Sequence, residues 1–305
     1  MRSRPVPPGR TLVMDRRTTR RFFILRPDLD GLSRLIIYYC LAVLSVKHGI
    51  LVHAVVQMST HWHVCLTDVR GVLPDFLHDM HQTLAMCFKA HRGWDESVWN
   101  KSQTGVVDLE TSGGALKELA YVICNPIEAG MVESIEEYPG AVTRPEQIGR
   151  AAFTLKRPAI GYFANEEKWP KTATLRYEIP AVLKNEYGAG ANRAIVDATR
   201  ARAEQLRKER AAKGLGYLGA EAVCAAPITT QSTREEARGE LTPTFAFGPA
   251  EHEARKRKLA ERRAWQAAYA ESLERWRRGE RDVVWPPHTW KMRVLHGVRC
   301  APPPR

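Results

Sequence analysis

The first half of the chain alternates short β-type runs with longer runs of helical periodicity. Runs rich in β-branched and aromatic side chains, bounded by turn residues, predict strands, and they fall at residues 20–27, 50–58, 61–68 and 104–110. Runs with apolar side chains three and four positions apart predict helices, and they fall at residues 28–49, 73–93 and 113–132. The predicted order is therefore β-α-β-β-α-β, followed by one more helix.

This order is typical of a ferredoxin-like α+β fold, in which an antiparallel sheet carries helices on one face. Only Ser59 and Thr60 separate the two middle strands, which predicts a β-hairpin. The last helix contains the dipeptide Asn125-Pro126. We expect an interruption there, because proline disfavours helical backbone geometry in the residue before it.

Outside this unit the periodicity is weaker. Residues 1–15 are basic and rich in proline, and they predict a flexible arm. After about residue 143 the composition changes, and clear helical patterns with many Arg and Lys return only at residues 193–214 and 251–282. The sequence thus predicts three parts, which are an arm at 1–15, a domain at 16–142 and a basic, largely helical C-terminal region at 143–305.

The charge of the chain indicates a polyanionic partner. The 305 residues carry a formal net charge of +12, and the sequence pI is about 9.6. A surface this basic repels itself unless it meets a polyanion, so nucleic acid is the first expected partner and an anionic membrane surface the second. The C-terminal region is expected to assist binding to DNA.

The composition also indicates the cellular compartment in which the protein is expected. The hydrophobic fraction of 44% is that of a folded protein. Six scattered cysteines without a CxxC pair argue for a reducing compartment, and against a disulfide framework or a structural zinc ribbon. The longest apolar run, residues 35–44, is too short to span a bilayer, and the N-terminal residues lead into no stretch of signal-peptide type. We expect a cytoplasmic protein without membrane association.

The segment MSTHWHVCLTD, residues 58–68, places His61 and His63 one residue apart in a predicted strand. Side chains one residue apart in a strand project from the same face, so the two imidazoles stand together while Trp62 and Val64 point to the other side. Two imidazoles held at this spacing can bind a metal ion. A partly solvated pair with no role is the alternative.

Tyr121 and Asn125 lie four residues apart on the last predicted helix, one turn from each other and on one face. Lys117 lies one turn before Tyr121 on that face. A helical tyrosine is usually structural, and a helix-surface lysine is usually solvated. The joint pattern of HxH, a following Tyr and Asn, and the βαββαβ order is more specific than any one of them.

In this combination the sequence resembles the single-tyrosine HUH transposases, and among them the REP-associated tyrosine transposases. The resemblance rests on RRFFILRPD at the first predicted strand, MSTHWHVCLTD at the hairpin and AYVICNPIEAGMV on the last helix. These blocks occur in the family's order and at comparable spacing, over roughly residues 16–142. The Trp62 between the two histidines is bulkier than the aliphatic residues often found in the family, and Asn125 stands where other branches of the superfamily have Gln, Glu or His.

The resemblance implies a metal-dependent enzyme that cleaves and rejoins single-stranded or hairpin DNA. Tyr121 would attack the phosphorus and form a 5′-phosphotyrosine. His61, His63 and Asn125 would bind a divalent metal, Mg²⁺ or Mn²⁺, although ligand softness alone would equally allow Zn²⁺ or Ni²⁺. The HxH pair would lie on a central strand and the tyrosine on a following helix. Both a homodimer and a monomer are left open.

Basic residues near the predicted first strand are candidates for phosphate binding. Arg16, Arg17, Arg20 and Arg21 flank it, and Lys117 is placed to contact the scissile phosphate or to favour the phenolate. Two further histidines, His78 and His81, are three apart on a predicted helix, which suits a second metal site less well than a polar helix face.

Three alternatives to a transposase stay open at this point. A DNA-binding protein of the same fold, inactive or domesticated, would keep the basic surface without the chemistry. A metal phosphoesterase would use the HxH pair to activate water and would not need Tyr121. A basic structural protein would leave the HxH pair unexplained.

Overall fold

The computed structural model of the protein describes residues 3–102, 104–150, 152–233, 244–248 and 251–303. Its strands are β1 Arg10–Arg17, β2 Ile50–Gln57, β3 His61–Asp68, β4 Gly105–Leu109, β5 Ala152–Lys156, β6 Thr172–Arg176 and β7 Phe245–Ala246. Its α-helices are α1 Leu32–His48, α2 Leu73–Arg92, α3 Ser112–Glu128, α4 Ala181–Tyr187, α5 Ala191–Ala212, α6 Ala220–Ala225, α7 His252–Arg277 and α8 Trp290–His296.

The main sheet has the strand order β2-β3-β1-β4-β7. Strand β1 is antiparallel to both β3 and β4, and β2 is antiparallel to β3. Strand β7 adds two residues parallel to the edge of β4. The first four strands and the two helices between them follow the predicted βαββαβ order, so the α+β prediction and the β2–β3 hairpin are confirmed.

The first strand was predicted at the wrong place. It is β1, residues 10–17, whereas residues 19–21 form a short 3₁₀ turn in which Arg20 and Arg21 have φ of 45° and 57°. Positive φ is incompatible with a strand, although Ile24 and Leu25 in this segment are buried. The predicted flexible arm is therefore wrong for residues 10–15, where Leu12 and Met14 are fully buried in the sheet.

Helices cover both faces of the sheet. On one face, Trp62 of β3 packs edge-on against His81 of α2, with ring centroids 5.9 Å apart, and α1 packs beside α2. On the other face, α3 packs across β2, β3 and β4 and is itself backed by α5. Because successive residues of β3 alternate between these faces, the histidine positions face α3.

Helix α3 is continuous, and the predicted interruption at Asn125-Pro126 is wrong. The helix runs through Pro126 to Glu128. Its first turn is capped by Thr111, whose side-chain oxygen accepts a hydrogen bond from the backbone N–H of Gly114. The buried packing of Val122, Ile123 and neighbouring residues on the sheet outweighs the local preference of the pre-proline residue.

The C-terminal region adds structure that the sequence pattern only partly predicts. The basic helices α5 and α7 are confirmed near their predicted positions, and the β5–β6 hairpin lies in a stretch that showed no clear period. One hydrophobic core continues from Leu12 to Ala246. A second, small cluster joins α7 to the chain that follows it, centred on Val283, Trp285 and Met292. The division of the chain at residues 142 and 143 stays a prediction.

All six cysteines lie in the described ranges, and none of them forms a disulfide. Within these ranges, no helix combines the length and the apolar character needed to cross a membrane.

Candidate functional site

The two histidines of the HxH pair stand side by side on β3. Their ring centroids are 4.8 Å apart, and the ring planes are perpendicular. Thr60, at the start of the strand, lies 2.9 Å from His61 through its side-chain oxygen and the ring Nδ1. That contact helps fix the orientation of the His61 ring. His63 is buried and His61 is partly exposed, so the pair lies where the sheet meets solvent.

The register between β1 and β3 adds two charged side chains to the same face. Asp15 is directly opposite His63, and Arg17 is directly opposite His61. Opposite residues of an antiparallel pair project to the same side of the sheet. The Arg17 Nε lies 3.8 Å from the Asp15 carboxylate, and both side chains are about one third exposed.

Helix α3 brings the tyrosine and the asparagine to the histidines. The Tyr121 ring lies 5.7 Å from the His63 ring, centroid to centroid. The buried Asn125 amide nitrogen donates to the backbone carbonyl of Tyr121 at 3.3 Å, and its side chain also hydrogen-bonds with His61. Thus His61, His63, Tyr121 and Asn125, predicted as candidates from sequence, form one contiguous cluster.

The environment keeps His61 neutral. Burial is the first cause that lowers the pKa of His61 well below its ordinary value, and the nearby His63 and Arg17 lower it further. Asp15 and the hydrogen bond with Asn125 act in the opposite direction and are weaker. A neutral imidazole has a lone pair available for a hydrogen-bond donor or a metal ion.

The donor set suits a divalent metal. Two imidazole nitrogens and one amide oxygen form a partial coordination shell that leaves positions for substrate oxygens and water. The Asn125 Nδ2 is engaged with the Tyr121 carbonyl, so Oδ1 is the atom of that amide that can bind a cation. In the described ranges, no group of three or more His, Cys, Asp and Glu side chains is arranged to hold a metal, and an amide would have to complete the site.

The predicted DNA-binding residues are divided between the site and its surroundings. Arg17 lies in the site. Arg20 follows on the turn after β1, where it forms an exposed ion pair with Glu96 and lies over the Phe22 ring. Arg21 is on the same turn. Lys117 is exposed on α3, one turn before Tyr121.

The weaker candidates are structural. His81 is partly buried and lies near the rings of Trp62 and Trp99, at centroid distances of 5.9 and 5.3 Å. Burial, with additional contributions from Arg16 and His78, lowers its pKa to about 3. His78 is exposed, and no group of three or more His, Cys, Asp and Glu side chains among the described residues joins the two histidines in a second metal site.

Sequence reasoning missed Asp15 and the residue opposite it, Gly105 of β4. A Cβ atom at Gly105 would lie 1.8 Å from the Asp15 carboxylate, so only glycine allows this carboxylate its position. The missed signal is the alternation in residues 10–17, which places Asp15 and Arg17 on the face opposite to Met14. It was hidden because the first strand was assigned to residues 20–27.

Comparison with solved structures gives two transposases as neighbours. One is a REP-associated tyrosine transposase bound to a REP hairpin, with 16% identity, a TM-score of 0.38, and coverage of 49% of this chain and 85% of that one. The other is a protein from Deinococcus radiodurans R1 assigned as a transposase, with 19% identity, a TM-score of 0.28, and coverage of 41% and 96%. No family model and no curated protein matches the sequence. At TM-scores this low, structural likeness does not support a function. The function proposed below is inferred from the geometry of the site.

Proposed function

We propose that the protein is a metal-dependent transposase that cleaves and rejoins single-stranded, hairpin-containing DNA through Tyr121. The observation that carries this proposal is the position of the Tyr121 ring 5.7 Å from the His63 ring, within a cluster that also holds His61 and Asn125. A nucleophile beside a cation site is the arrangement that phosphodiester transesterification needs.

His61, His63 and the Asn125 Oδ1 would hold the divalent metal, Mg²⁺ or Mn²⁺. When bound, it would neutralise the charge that builds on the phosphoryl oxygens. Asn125 also contributes through its amide nitrogen, because the hydrogen bond to the backbone carbonyl of Tyr121 holds the Asn125 side chain against the turn of α3 that carries Tyr121. The proposed cation ligand and the nucleophile are thereby held on the same turn of one helix.

In the proposed reaction the Tyr121 phenol oxygen attacks the phosphorus. The new bond joins that oxygen to phosphorus, the bond to the DNA 3′-oxygen breaks, the phenol loses its proton, and the leaving 3′-oxygen gains one. The product is a 5′-phosphotyrosine and a free 3′-hydroxyl. A 3′-hydroxyl of another DNA end can reverse the exchange, so rejoining needs no external energy source.

The basic residues around the site serve DNA binding in this proposal. Arg17 lies beside His61 and supplies positive charge where the scissile phosphate would arrive. Arg20, Arg21 and Lys117 extend this charge along the turn after β1 and along α3. Contacts of this kind fix the backbone in register and are weakened by salt.

The decisive experiment is an incubation of the purified chain with single-stranded DNA that contains imperfect hairpins, in Mg²⁺ or Mn²⁺, followed by a denaturing gel. A 3′-end label should become attached to protein, and the 5′-labelled fragment should be extendable by a polymerase because it ends in a 3′-hydroxyl. Tyr121→Phe should abolish the adduct. Tyr187→Phe, the same change at an exposed tyrosine of α4, should keep it.

Two results would reject the tyrosine mechanism. Cleavage without an adduct, unchanged by Tyr121→Phe, would favour the phosphoesterase that activates water. Binding without cleavage would favour an inactive DNA-binding protein.

The metal requirement is tested separately. Chelation should stop cleavage, and His63→Ala should reduce it by roughly 100-fold or more, since weaker perturbations of metal sites already cost 10- to 100-fold. The exposed His78→Ala is the matched control and should cleave normally. Equal activity of the two variants would exclude a role of the HxH pair in binding the metal.

A further inference from the structure

A second charged cluster lies at the opposite end of β1 from the histidines. Arg10 begins the strand, and its Nε forms an ion pair with the buried carboxylate of Asp108 on β4. The Arg10 side chain is only 9% exposed. Its Nη1 donates to the carbonyl of Pro5 at 3.3 Å, which ties the N-terminal segment to this end of β1.

Two more guanidinium groups join this pair. Arg4 donates from Nη1 to the carbonyl of Thr104 at 3.2 Å. Arg262 reaches the cluster from α7 and is 8% exposed, although its neighbours on that helix are solvated. The pKa of Arg262 is lowered to about 10, first by burial and then by Arg10 and Arg4, whereas Asp108 acts in the opposite direction. Arg262 is therefore charged at neutral pH.

The cluster holds more positive than negative charge. An ion pair joins Arg10 to Asp108, and electrostatic interactions link both of them to Arg4 and Arg262, so the described residues give the cluster three guanidinium groups and one carboxylate. The buried Arg10 Nη2 and Arg262 Nε have no hydrogen-bond partner among the residues that the structure describes. A buried donor without a partner is costly, and a buried charge without compensation more so. The physical expectation is that an anion completes the cluster.

We propose that Arg4, Arg10 and Arg262 form a binding site for a phosphate group between the N-terminal segment, β1 and α7. Guanidinium groups match phosphate oxygens with paired N–H donors, and their charge-assisted hydrogen bonds are stronger than neutral ones. Asp108 holds Arg10 in place and leaves its Nη2 for the anion.

Such an anion would also fasten α7 to the sheet. The first half of α7 is joined to the β4–α3 connection by polar contacts, Lys258 with Glu110 at 3.3 Å and Glu251 with Thr111. Its second half packs in the separate cluster around Trp285. A phosphate shared by Arg10 and Arg262 would add a strong polar contact between these parts, so binding should order α7 against the domain.

The phosphate can come from two sources, free phosphate or the backbone of bound DNA. The site does not depend on the tyrosine chemistry, because none of its arginines belongs to the His61–Tyr121 cluster. The first experiment therefore uses inorganic phosphate and no DNA, and it can succeed or fail whatever the outcome of the cleavage assay.

The full-length chain is titrated with inorganic phosphate in a chloride buffer at constant ionic strength, and its thermal unfolding and the hydrogen exchange of α7 are measured. Wild type should show a saturable rise in Tm and slower exchange in α7. Arg262→Gln should weaken the apparent affinity by about tenfold or more, as expected for loss of a charge-assisted hydrogen bond. Arg263→Gln, the same change at the exposed neighbouring residue, should behave as wild type.

Arg4→Gln provides a second variant in case Arg262→Gln folds poorly. Arg4 lies before the first strand, outside the hydrophobic core, and its loss should weaken phosphate binding without changing the sheet. A Tm response that does not saturate, or that is equal in Arg262→Gln, Arg4→Gln and Arg263→Gln, would overturn the proposal.

A DNA arm then separates the sources. If a DNA phosphate fills the site, Arg262→Gln should bind single-stranded DNA more weakly than Arg263→Gln at equal salt, and inorganic phosphate should compete with DNA only when Arg262 is present. If free phosphate fills the site, the two variants should bind DNA equally while differing in the phosphate titration. Both results support the phosphate site and identify its ligand.

Discussion

The polar clusters at the two ends of β1 differ in their balance of charge. At the end with Asp15 and Arg17, the strand faces histidines and helix α3. The charged groups there are one carboxylate and one guanidinium group, and His61 is neutral. At the end with Arg10, the strand faces the N-terminal segment and α7, and positive charge is in excess. The first cluster has the groups for phosphoryl chemistry, whereas the second has the groups for anion binding.

The two clusters also differ in how they are encoded. In the histidine cluster, His61 and His63 are separated by one residue and Tyr121 and Asn125 by one helical turn. These short spacings can be recognised in the sequence. The arginine cluster combines residues 4, 10, 108 and 262, and only the fold brings them together. A basic residue inside a long, solvated helix, such as Arg262 in α7, gives no sequence signal that it will be buried.

The largest expected effect concerns the charge balance of the arginine cluster. Asp108→Asn removes the carboxylate that is paired with Arg10, and breaking a buried pair costs about 3–5 kcal/mol. We expect the free energy of unfolding in urea to fall by that amount in phosphate-free buffer. Asp197→Asn, which breaks an exposed ion pair with Arg193 on α5, should change it by less than about 1 kcal/mol.

A small effect of Asp108→Asn, comparable to that of Asp197→Asn, would mean that solvent compensates the positive charge of the arginine cluster without this carboxylate. The contrast between the two ends of β1 would then be lost.

Much of the fold followed from sequence periodicity, and the failures have physical causes. The β2–β3 hairpin, α1, α2 and β4 lie where apolar spacing predicted them. Strand β1 was missed because its buried residues Leu12, Val13 and Met14 form a short run between charged residues. The apolar residues after it looked more like a strand, but there the backbone turns with positive φ.

The candidate site shows the same limit. His61, His63, Tyr121 and Asn125 were found because each pair lies within a single element. Asp15 was not, because its place opposite His63 depends on the register between strands far apart in sequence. Their roles in catalysis stay predictions until the cleavage assay is done.

The second prediction concerns the buried His53, which limits the pH range in which the two ends of β1 can be compared in a stable protein. His53 on β2 is buried, with its Nδ1 2.6 Å from the Glu178 carbonyl and its Nε2 2.7 Å from the Thr67 hydroxyl, beside Thr11 of β1. Burial lowers its pKa to about 4, from an ordinary value of 6.5. Below pH 6.5 the unfolded chain therefore binds a proton that the folded chain refuses, so stability falls as the pH drops towards 4.

This contribution amounts to at most about 3.5 kcal/mol, because the pKa differs by about 2.5 from its ordinary value and each unit corresponds to roughly 1.4 kcal/mol. Urea unfolding followed from neutral pH to pH 4.5 should show it as a loss of stability. His53→Gln should flatten the profile, and the exposed His78→Gln should leave it unchanged. If His53→Gln loses stability with falling pH as wild type does, groups other than His53 cause the acid sensitivity.

The smallest effect tests whether the two ends are independent. Gly105→Ala would place a Cβ 1.8 Å from the Asp15 carboxylate, and the carboxylate must move away from its position opposite His63. We expect DNA cleavage to slow by about tenfold, equivalent to about 1.4 kcal/mol, while the Tm rise with phosphate stays as in wild type. Gly190→Ala, where the added methyl meets open space, is the control and should cleave normally.

The cause is tested with a double variant. If Gly105→Ala acts by displacing Asp15, then Asp15→Ala combined with Gly105→Ala should be no slower than Asp15→Ala alone, because the effects of coupled residues do not add. Additive effects would show that the methyl group disturbs β4 itself. In that case a phosphate response altered by Gly105→Ala would indicate that the strand transmits the change to Asp108, three residues away on β4, and that the two clusters are coupled through the sheet.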